Sequence, residues 1–313
     1  MNLIFLGTPL LSAKLLNHIK NKYNVVAVIT RPDKPIGRSK KEVPSPVAIE
    51  AELSGISIYK PVKIDSELIS ELNKLSPDLF ITFSYGAILR QPFLELTKYG
   101  GINIHPSILP EYRGPSPIQA ALLDGKSQSG ITVQKVALKV DSGDILAQET
   151  FMIAESDNYY DIELAVSELA AKITLDVLTN FSSGNFNGTP QIESDATYCK
   201  IIKKEDALID WTLSSRKIHN LIRAFVEWPC GFSYLNNEKI TFYKSEVCDI
   251  LMQQEHLSQE PGTIVEADNK NGILIKTGSG LLKINELQRE GKNKLEFKSF
   301  INGYQGLKNK KFN

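Results

Sequence analysis

The chain has 313 residues, 42% apolar and 23% charged, the proportions of an ordinary soluble globular protein long enough for two domains. Its 36 basic and 36 acidic side chains cancel, so no whole-molecule field draws it to a polyanion and any nucleic-acid site must be a local patch. No run approaches the ~18 apolar residues of a membrane span, no leader is visible, and the scattered Cys199, Cys230, Cys248 and four histidines point to reduced thiols in a cytoplasmic protein without a metal site.

Over the first 180 residues, short apolar runs alternate with longer amphipathic ones. Strands are predicted over 3–6, 25–29, 79–83, 102–104 and 131–136, and helices over 13–20, 46–53, 67–75, 118–123 and 157–181. That alternation predicts an α/β domain with a doubly wound, mostly parallel sheet, binding its ligand beyond the carboxyl ends of the strands. Gly7-Thr8-Pro9 lacks the G-x-G-x-x-G pattern and reads as a structural turn, not a dinucleotide site. Residues 31–45 hold a basic, Pro- and Gly-containing exposed insertion.

The polar, Gly-rich stretch at 182–190 marks the start of a linker. Beyond it come one helix over 213–225 and β-like runs at 240–243, 262–265, 272–276 and 281–284. Thr277-Gly278-Ser279-Gly280 joins the last two as a hairpin turn, and a small β-barrel is expected. The domains are drawn at 1–182 and 206–313, with 183–205 between them. Net charge is −4 over 1–199 and +4 over 200–313, the direction expected if the second domain touches RNA phosphates.

The most informative segment runs from Gly100 to Gly114. A buried strand at 102–104 delivers Asn103 and His105 to one face, because their separation is two residues. An amide donor beside an imidazole can hold a carbonyl oxygen while a proton moves nearby, which suits acyl transfer. On spacing alone the pair serves equally well to satisfy loop backbone groups. Asp141 and Asp144 flank a Ser-Gly turn further along. A carboxylate beside an imidazole favours its charged form and fixes its orientation.

Four segments occur in order: Phe83-Ser84-Tyr85-Gly86-Ala87-Ile88-Leu89, the Asn-x-His strand, Arg113-Gly114-Pro115-Ser116-Pro117-Ile118-Gln119 and Val140-Asp141-Ser142-Gly143-Asp144-Ile145-Leu146. In sequence and spacing they resemble the folate-dependent formyltransferase family, and within it the branch that acts on methionyl-tRNA. The resemblance extends from Met1 to about Tyr304. It implies an OB-type second domain, 10-formyltetrahydrofolate as formyl donor, the methionyl amine of initiator tRNA as acceptor, and no metal. It also implies a catalytic set at Asn103, His105 and Asp141. The family's aspartate matches Asp141, leaving Asp144 to order the loop.

The family holds its folate at the segment after residue 83 and at the loop before Asp141. Ile88, Leu89, Val140 and Asp141 are therefore expected cofactor contacts, although each apolar member alone serves as well in a core. The Pro-Asp-Lys-Pro-x-Gly-Arg-x-Lys-Lys pattern at 32–41 resembles the family's tRNA-gripping loop, which nominates Arg38, Lys40 and Lys41. Arg223 lies in a matching segment where Val226-Glu227 replace the family's Asn-Pro, and it is a further candidate RNA contact. Phe225 and Trp228 are expected in the core. The implied protein is a monomeric cytoplasmic enzyme. A formyltransferase acting on an amino sugar or ribonucleotide is one alternative, against which the basic loop argues. A folate- or RNA-binding protein without turnover is another, against which the intact Asn103, His105 and Asp141 argue.

Overall fold

Leu3, Ile4, Phe5 and Leu6 are all fully buried although alternate residues of a strand face opposite sides, so the first strand is covered on both faces. The structure, a computed structural model, describes residues 1–36, 41–248 and 258–313. The chain divides into two units. The first comprises Met1–Pro117, Gln128–Phe151 and Glu163–Lys200, and the second Ile118–Ser127, Met152–Ile162 and Ile201–Asn313.

The first unit is built on a seven-stranded sheet. β1 (Asn2–Gly7) pairs in parallel with β2 (Asn24–Ile29) on one side and with β6 (Leu79–Phe83) on the other. β5 (Ile58–Tyr59) extends the sheet beyond β2, and β7 (Gly101–His105) extends it beyond β6, both in parallel. Next comes β8 (Gln128–Lys135), antiparallel to β7, and then β9 (Ile145–Met152) at the edge. The mostly parallel, doubly wound architecture expected from the alternation of elements is present.

Helix α1 (Leu10–Lys20) packs on β1, β2 and α2 (Pro46–Leu53). Helices α3 (Ser66–Asn73) and α4 (Gln91–Leu94) send Leu72 and Phe93 into a cluster with Ile4, Leu6, Ala27, Ile29 and Phe80. Local chemistry starts these helices. Ser45 caps α2, whose first residue is Pro46, and the Asp65 carboxylate accepts from the Leu68 N–H to cap α3. Helices α5 (Pro117–Leu123) and α6 (Tyr159–Ser182) follow. No helix among the described residues is long and apolar enough to cross a membrane.

Several short or edge elements were not among those expected, notably β5, α4 and, in the second unit, the strands at Gly231–Leu235 and Lys294–Glu296. Part of the 31–45 insertion forms a short antiparallel pair, β3 (Lys34–Ile36) with β4 (Lys41–Val43). β9 was not anticipated, because its Gln148, Glu149 and Thr150 mix with apolar residues along a partly exposed edge and blur the alternation.

In the second unit, β10 (Gly231–Leu235), β11 (Glu238–Cys248), β12 (Ile264–Asp268), β13 (Gly272–Lys276), β14 (Leu281–Arg289) and β15 (Lys294–Glu296) form an antiparallel sheet. The 277–280 turn joins β13 to β14, with Lys276 opposite Leu281 and Gly280 at φ +88°. Helix α7 (Ser215–Ala224) contributes Ile218 and Ile222 to a core with Trp211, Phe242, Ile275 and Phe312.

The strand order β10-β11-β14-β13-β12 does not itself close a ring. Barrel-like closure rests on the C-terminal tail, where Phe312 bridges Leu235 of β10 and Lys311 bridges Thr263 just before β12. Phe312 stacks on Trp211 at 5.3 Å between ring centroids. Phe312→Ala is expected to cost about 3–5 kcal/mol. Both tryptophans, Trp211 and Trp228, belong to the second unit, so urea unfolding followed by their fluorescence reads that unit. An unchanged midpoint would rule out the tail as a closing element.

Candidate active site

Alternation along β7 turns Asn103 and His105 to the same face at its carboxyl end. The antiparallel register with β8 sets Gln134 opposite Asn103 and Thr132 opposite His105. Directly opposed residues share a face, so the two amides, the imidazole and the threonine hydroxyl converge. Thr132 receives hydrogen bonds from the Leu109 N–H and Gln148 Nε2, and its hydroxyl donates to the Ser107 carbonyl at 2.7 Å. These bonds tie the loop after β7 to β8.

Asp141 arrives from the loop between β8 and β9 with φ +50°. That left-handed position is strained for a residue with a Cβ and persists only where the surroundings over-determine it. Oδ1 accepts from Asn103 Nδ2 and from Gln134 Nε2, each at 3.1 Å. Oδ2 accepts from the Gly114 N–H at 2.8 Å and lies 3.6 Å from His105 Nδ1. His105 is 4% exposed, and its Nε2 sits 2.9 Å from the Tyr112 carbonyl. A carbonyl can only accept, so Nε2 carries a proton and Nδ1 is the nitrogen that faces Asp141. Asn103, His105 and Asp141, separate in sequence, thus meet around one carboxylate. Asp144 instead pairs with Lys135 at 3.1 Å, while its carbonyl accepts from the Lys135 N–H.

A second layer comes from residues 189–200, which fall within the segment expected as a linker and here run along the site loop. Thr197 Oγ1 accepts from the Tyr112 N–H, the Thr197 carbonyl accepts from the Arg113 N–H, and the Cys199 N–H donates to the Arg113 carbonyl. Gly114 has φ +120°, and a Cβ there would sit 2.5 Å from the Cys199 carbonyl oxygen, so only glycine fits between loop and strap. Burial pushes the Cys199 thiol up, which keeps it a neutral donor toward the carbonyls of Tyr112 and Arg113.

Arg113 is only 1% exposed. Its Nε and Nη2 fork onto Gln191 Oε1, and its Nη1 reaches Glu193 and the Tyr198 hydroxyl. Burial opposes the charge of Arg113, but hydrogen bonds to Glu193 and Tyr198 outweigh it and hold the guanidinium above its ordinary value. Gln134, Gln191, Arg113 and Gly114 were not anticipated as site residues. Gln134 had a visible signal: Thr132 and Gln134 alternate with buried Ile131 and Val133, a polar face on an otherwise apolar strand.

The remaining nominated residues differ in burial. Ile88 is 81% exposed beside a cavity of ≈ 520 Å³ that Ile64, Ile69, Tyr85 and Phe93 also line. Leu89 packs partly buried against the core around Phe80, and Val140 is 53% exposed. Arg38 and Lys40 lie outside the described residues, and Lys41 opens β4. Arg223 differs from expectation. It is 7% exposed, with Nε on Asn220 Oδ1 and Nη1 on the carbonyls of Ala154 and Asp157. Its guanidinium is taken up by backbone carbonyls instead of facing solvent where a phosphate could reach it. Phe225 is buried as expected, whereas Trp228 is about half exposed. Among the described residues, no group of three or more His, Cys, Asp or Glu side chains is arranged to hold a metal ion.

An amide donor, an imidazole and a carboxylate beyond the ends of parallel strands form a site suited to acyl-group transfer, and the chain belongs to the formyl transferase family. The formyl transferase family matches residues 1–178, and the formyl transferase C-terminal domain matches residues 201–305. A methionyl-tRNA formyltransferase of Borrelia garinii subsp. bavariensis is 40% identical over 307 residues, covering 98% of this chain and 96% of that relative. An N-formyltransferase from Helicobacter canadensis, solved with folinic acid and dTDP-3-aminofucose, superposes with TM-score 0.67 at 20% identity over 92% of this chain and 98% of its own. HypX from Aquifex aeolicus superposes with TM-score 0.65 at 18% identity over the whole of this chain, which spans 51% of HypX. The two structural likenesses speak to the fold alone.

Glu193 supplies a pH-dependent contact in the strap. Hydrogen bonds from Lys139 and Arg113 push its carboxyl down to about 2 from an ordinary 4.5. A depressed folded-state value means that its stabilisation is fully present above pH 4.5 and is lost as pH falls toward 2. The side chain is well exposed, so the effect is small. Glu193→Gln is expected to lower Tm slightly at neutral pH and to converge with the wild type near the folded-state value. A Tm gap that stays constant through this window would contradict the assignment.

Proposed function

We propose that the protein transfers the formyl group of 10-formyltetrahydrofolate to the amino group of methionyl initiator tRNA, giving N-formylmethionyl-tRNA. The observation that carries the chemistry is the Asp141 carboxylate, which accepts from Asn103 and Gln134 and stands 3.6 Å from His105. The acceptor follows from the 40% identity to a methionyl-tRNA formyltransferase over nearly the full length of both chains.

In this reading the methionyl amine lone pair forms a bond to the formyl carbon, and the carbonyl π pair moves onto oxygen. The oxyanion then collapses and expels N10 of the folate. The attacking nitrogen loses a proton and N10 gains one. Asn103 has two amide hydrogens. One is directed at Asp141, leaving the second for the oxyanion. His105 and Asp141 together form the station through which the proton passes, and the amide hydrogen of Asn103 offsets the oxyanion. Ile88, Leu89 and Val140 contact the folate, with backbone at Ser84 (φ +50°) and Gly86 (φ +77°) shaping its approach. Arg38, Lys40 and Lys41 grip the tRNA. Residues 1–182, with the 189–200 strap, carry the chemistry, and residues 206–313 help hold the tRNA. The enzyme acts as a cytoplasmic monomer.

Labelled formyl should pass from the folate to charged initiator tRNA and not to uncharged tRNA. Transfer only to an amino sugar or ribonucleotide amine would replace this acceptor. Asn103→Ala is expected to lower kcat about 10²–10³-fold, and His105→Ala about 10²–10⁴-fold, each rate divided by the folded fraction. Near-normal turnover in either variant would sink the mechanism. Arg38→Ala should lower kcat/KM for the tRNA while leaving folate binding intact, and it should flatten the salt dependence of tRNA affinity. An unaltered salt slope would remove Arg38 from the interface.

A further inference from the structure

We infer that Gln191 is a positioning residue for formyl transfer, a role that rests on the reaction proposed above. The guanidinium of Arg113 has donors and no acceptor. Its Nε and Nη2 meet Gln191 Oε1 at 3.1 and 2.9 Å, so the amide oxygen of Gln191 must face Arg113. The amide nitrogen is thereby turned toward the site. There it meets acceptors: Gln134 Oε1 at 3.2 Å, the Asp141 carbonyl at 3.0 Å and the Gly143 carbonyl at 2.7 Å. Because Gln134 Oε1 is occupied as an acceptor, Gln134 Nε2 points to Asp141 Oδ1, 3.1 Å away. Arg113, permanently charged and buried, thus sets the direction of Gln191, and Gln191 reinforces the sense of Gln134 that the Asp141 carboxylate also requires.

The consequence reaches the reacting groups. An amide can turn over by exchanging its oxygen and nitrogen at little steric cost, and here the donor-only guanidinium at one end and the acceptor-only carboxylate at the other both favour the same sense for Gln191 and Gln134. With Gln134 reversed, its oxygen would face Asp141 Oδ1 and two acceptors would repel. The carboxylate would then leave its place between Asn103 and His105. Gln191 also holds the backbone of Asp141 and of Gly143, whose Cα has no room for a side chain because a Cβ would lie 1.8 Å from the Lys135 carbonyl oxygen. One amide therefore fixes both the strained main chain that carries Asp141 and the sense of its second side-chain donor. A displacement of the carboxylate by about 1 Å corresponds to roughly a 100-fold loss in rate.

The test uses Gln191→Leu and Gln191→Glu in the full chain. The first removes donor and acceptor at similar volume. The second keeps an acceptor for Arg113 and removes the donors. Both are expected to lower kcat about 10–100-fold, with KM for the folate and for the charged tRNA within about threefold. The pH profile of kcat should be displaced from that of the wild type. If either variant retains kcat within about threefold of the wild type, the inference is overturned. It is equally overturned if the losses vanish once rates are divided by the folded fraction, or if neither variant folds, since Gln191 would then serve stability alone. A wild type that transfers no formyl group overturns the reaction and the positioning role together. An active wild type with active variants overturns the positioning role alone.

Discussion

The carboxylate of Asp141 is carried on a loop in a left-handed backbone conformation, yet it receives side-chain donors from two strands and a main-chain donor from a second loop. The pairing register of β7 with β8 makes that possible, by setting Gln134 directly across from Asn103. A slip of one residue would turn Thr132 and Gln134 to the other face and bring Ile131 and Val133 to the site. Both of those residues are fully buried, so the apolar pattern of β8 penalises the slip. The register is specified by hydrophobic burial on one side of the strand, and the site inherits that specification on the other.

A second dependence runs between the 112–114 loop and the 189–200 strap. Burying Arg113 is costly unless its donors are met. Its side-chain partners Gln191, Glu193 and Tyr198 all come from the strap. The strap in turn uses the loop, since Thr197 and Cys199 bond the backbone of Tyr112 and Arg113. Tyr112 itself has φ +57°, and its carbonyl is the one that occupies His105 Nε2. Loop and strap therefore order each other. Opening either would leave a buried guanidinium unpaired and release the imidazole together with Asp141.

Much of this was legible in the chain. The apolar runs at 3–6, 25–29 and 79–83 are buried on both faces, and such strands announce themselves without alternation. Asn103 and His105 were legible because period-two spacing is a local property. Asp141 was reached only through resemblance, since nothing in its own neighbourhood reports a contact across 38 residues with Asn103. The strap was illegible for a different reason. Residues 182–190 have the polar, Gly-rich composition of a linker, and the contacts that order the following residues are hydrogen bonds to another loop, which leave no hydrophobic period behind. Arg223 shows the converse failure. A cationic side chain in a resembling segment suggests phosphate binding, but burial and carbonyl partners are properties of the fold around it.

Depth separates the proposed roles of the three converging side chains. His105 is almost wholly buried with both ring nitrogens facing protein acceptors, while Asn103 is only partly buried. In the proposed mechanism a substrate carbonyl approaching from solvent meets the Asn103 amide before the imidazole. The imidazole then acts through Asp141, in a low-dielectric surrounding where electrostatic effects are stronger than in water. Such a buried centre demands fixed dipoles around it. The amides of Asn103, Gln134 and Gln191 are fixed dipoles of this kind, and the buried guanidinium of Arg113 at one end and the carboxylate of Asp141 at the other agree on which way the last two point.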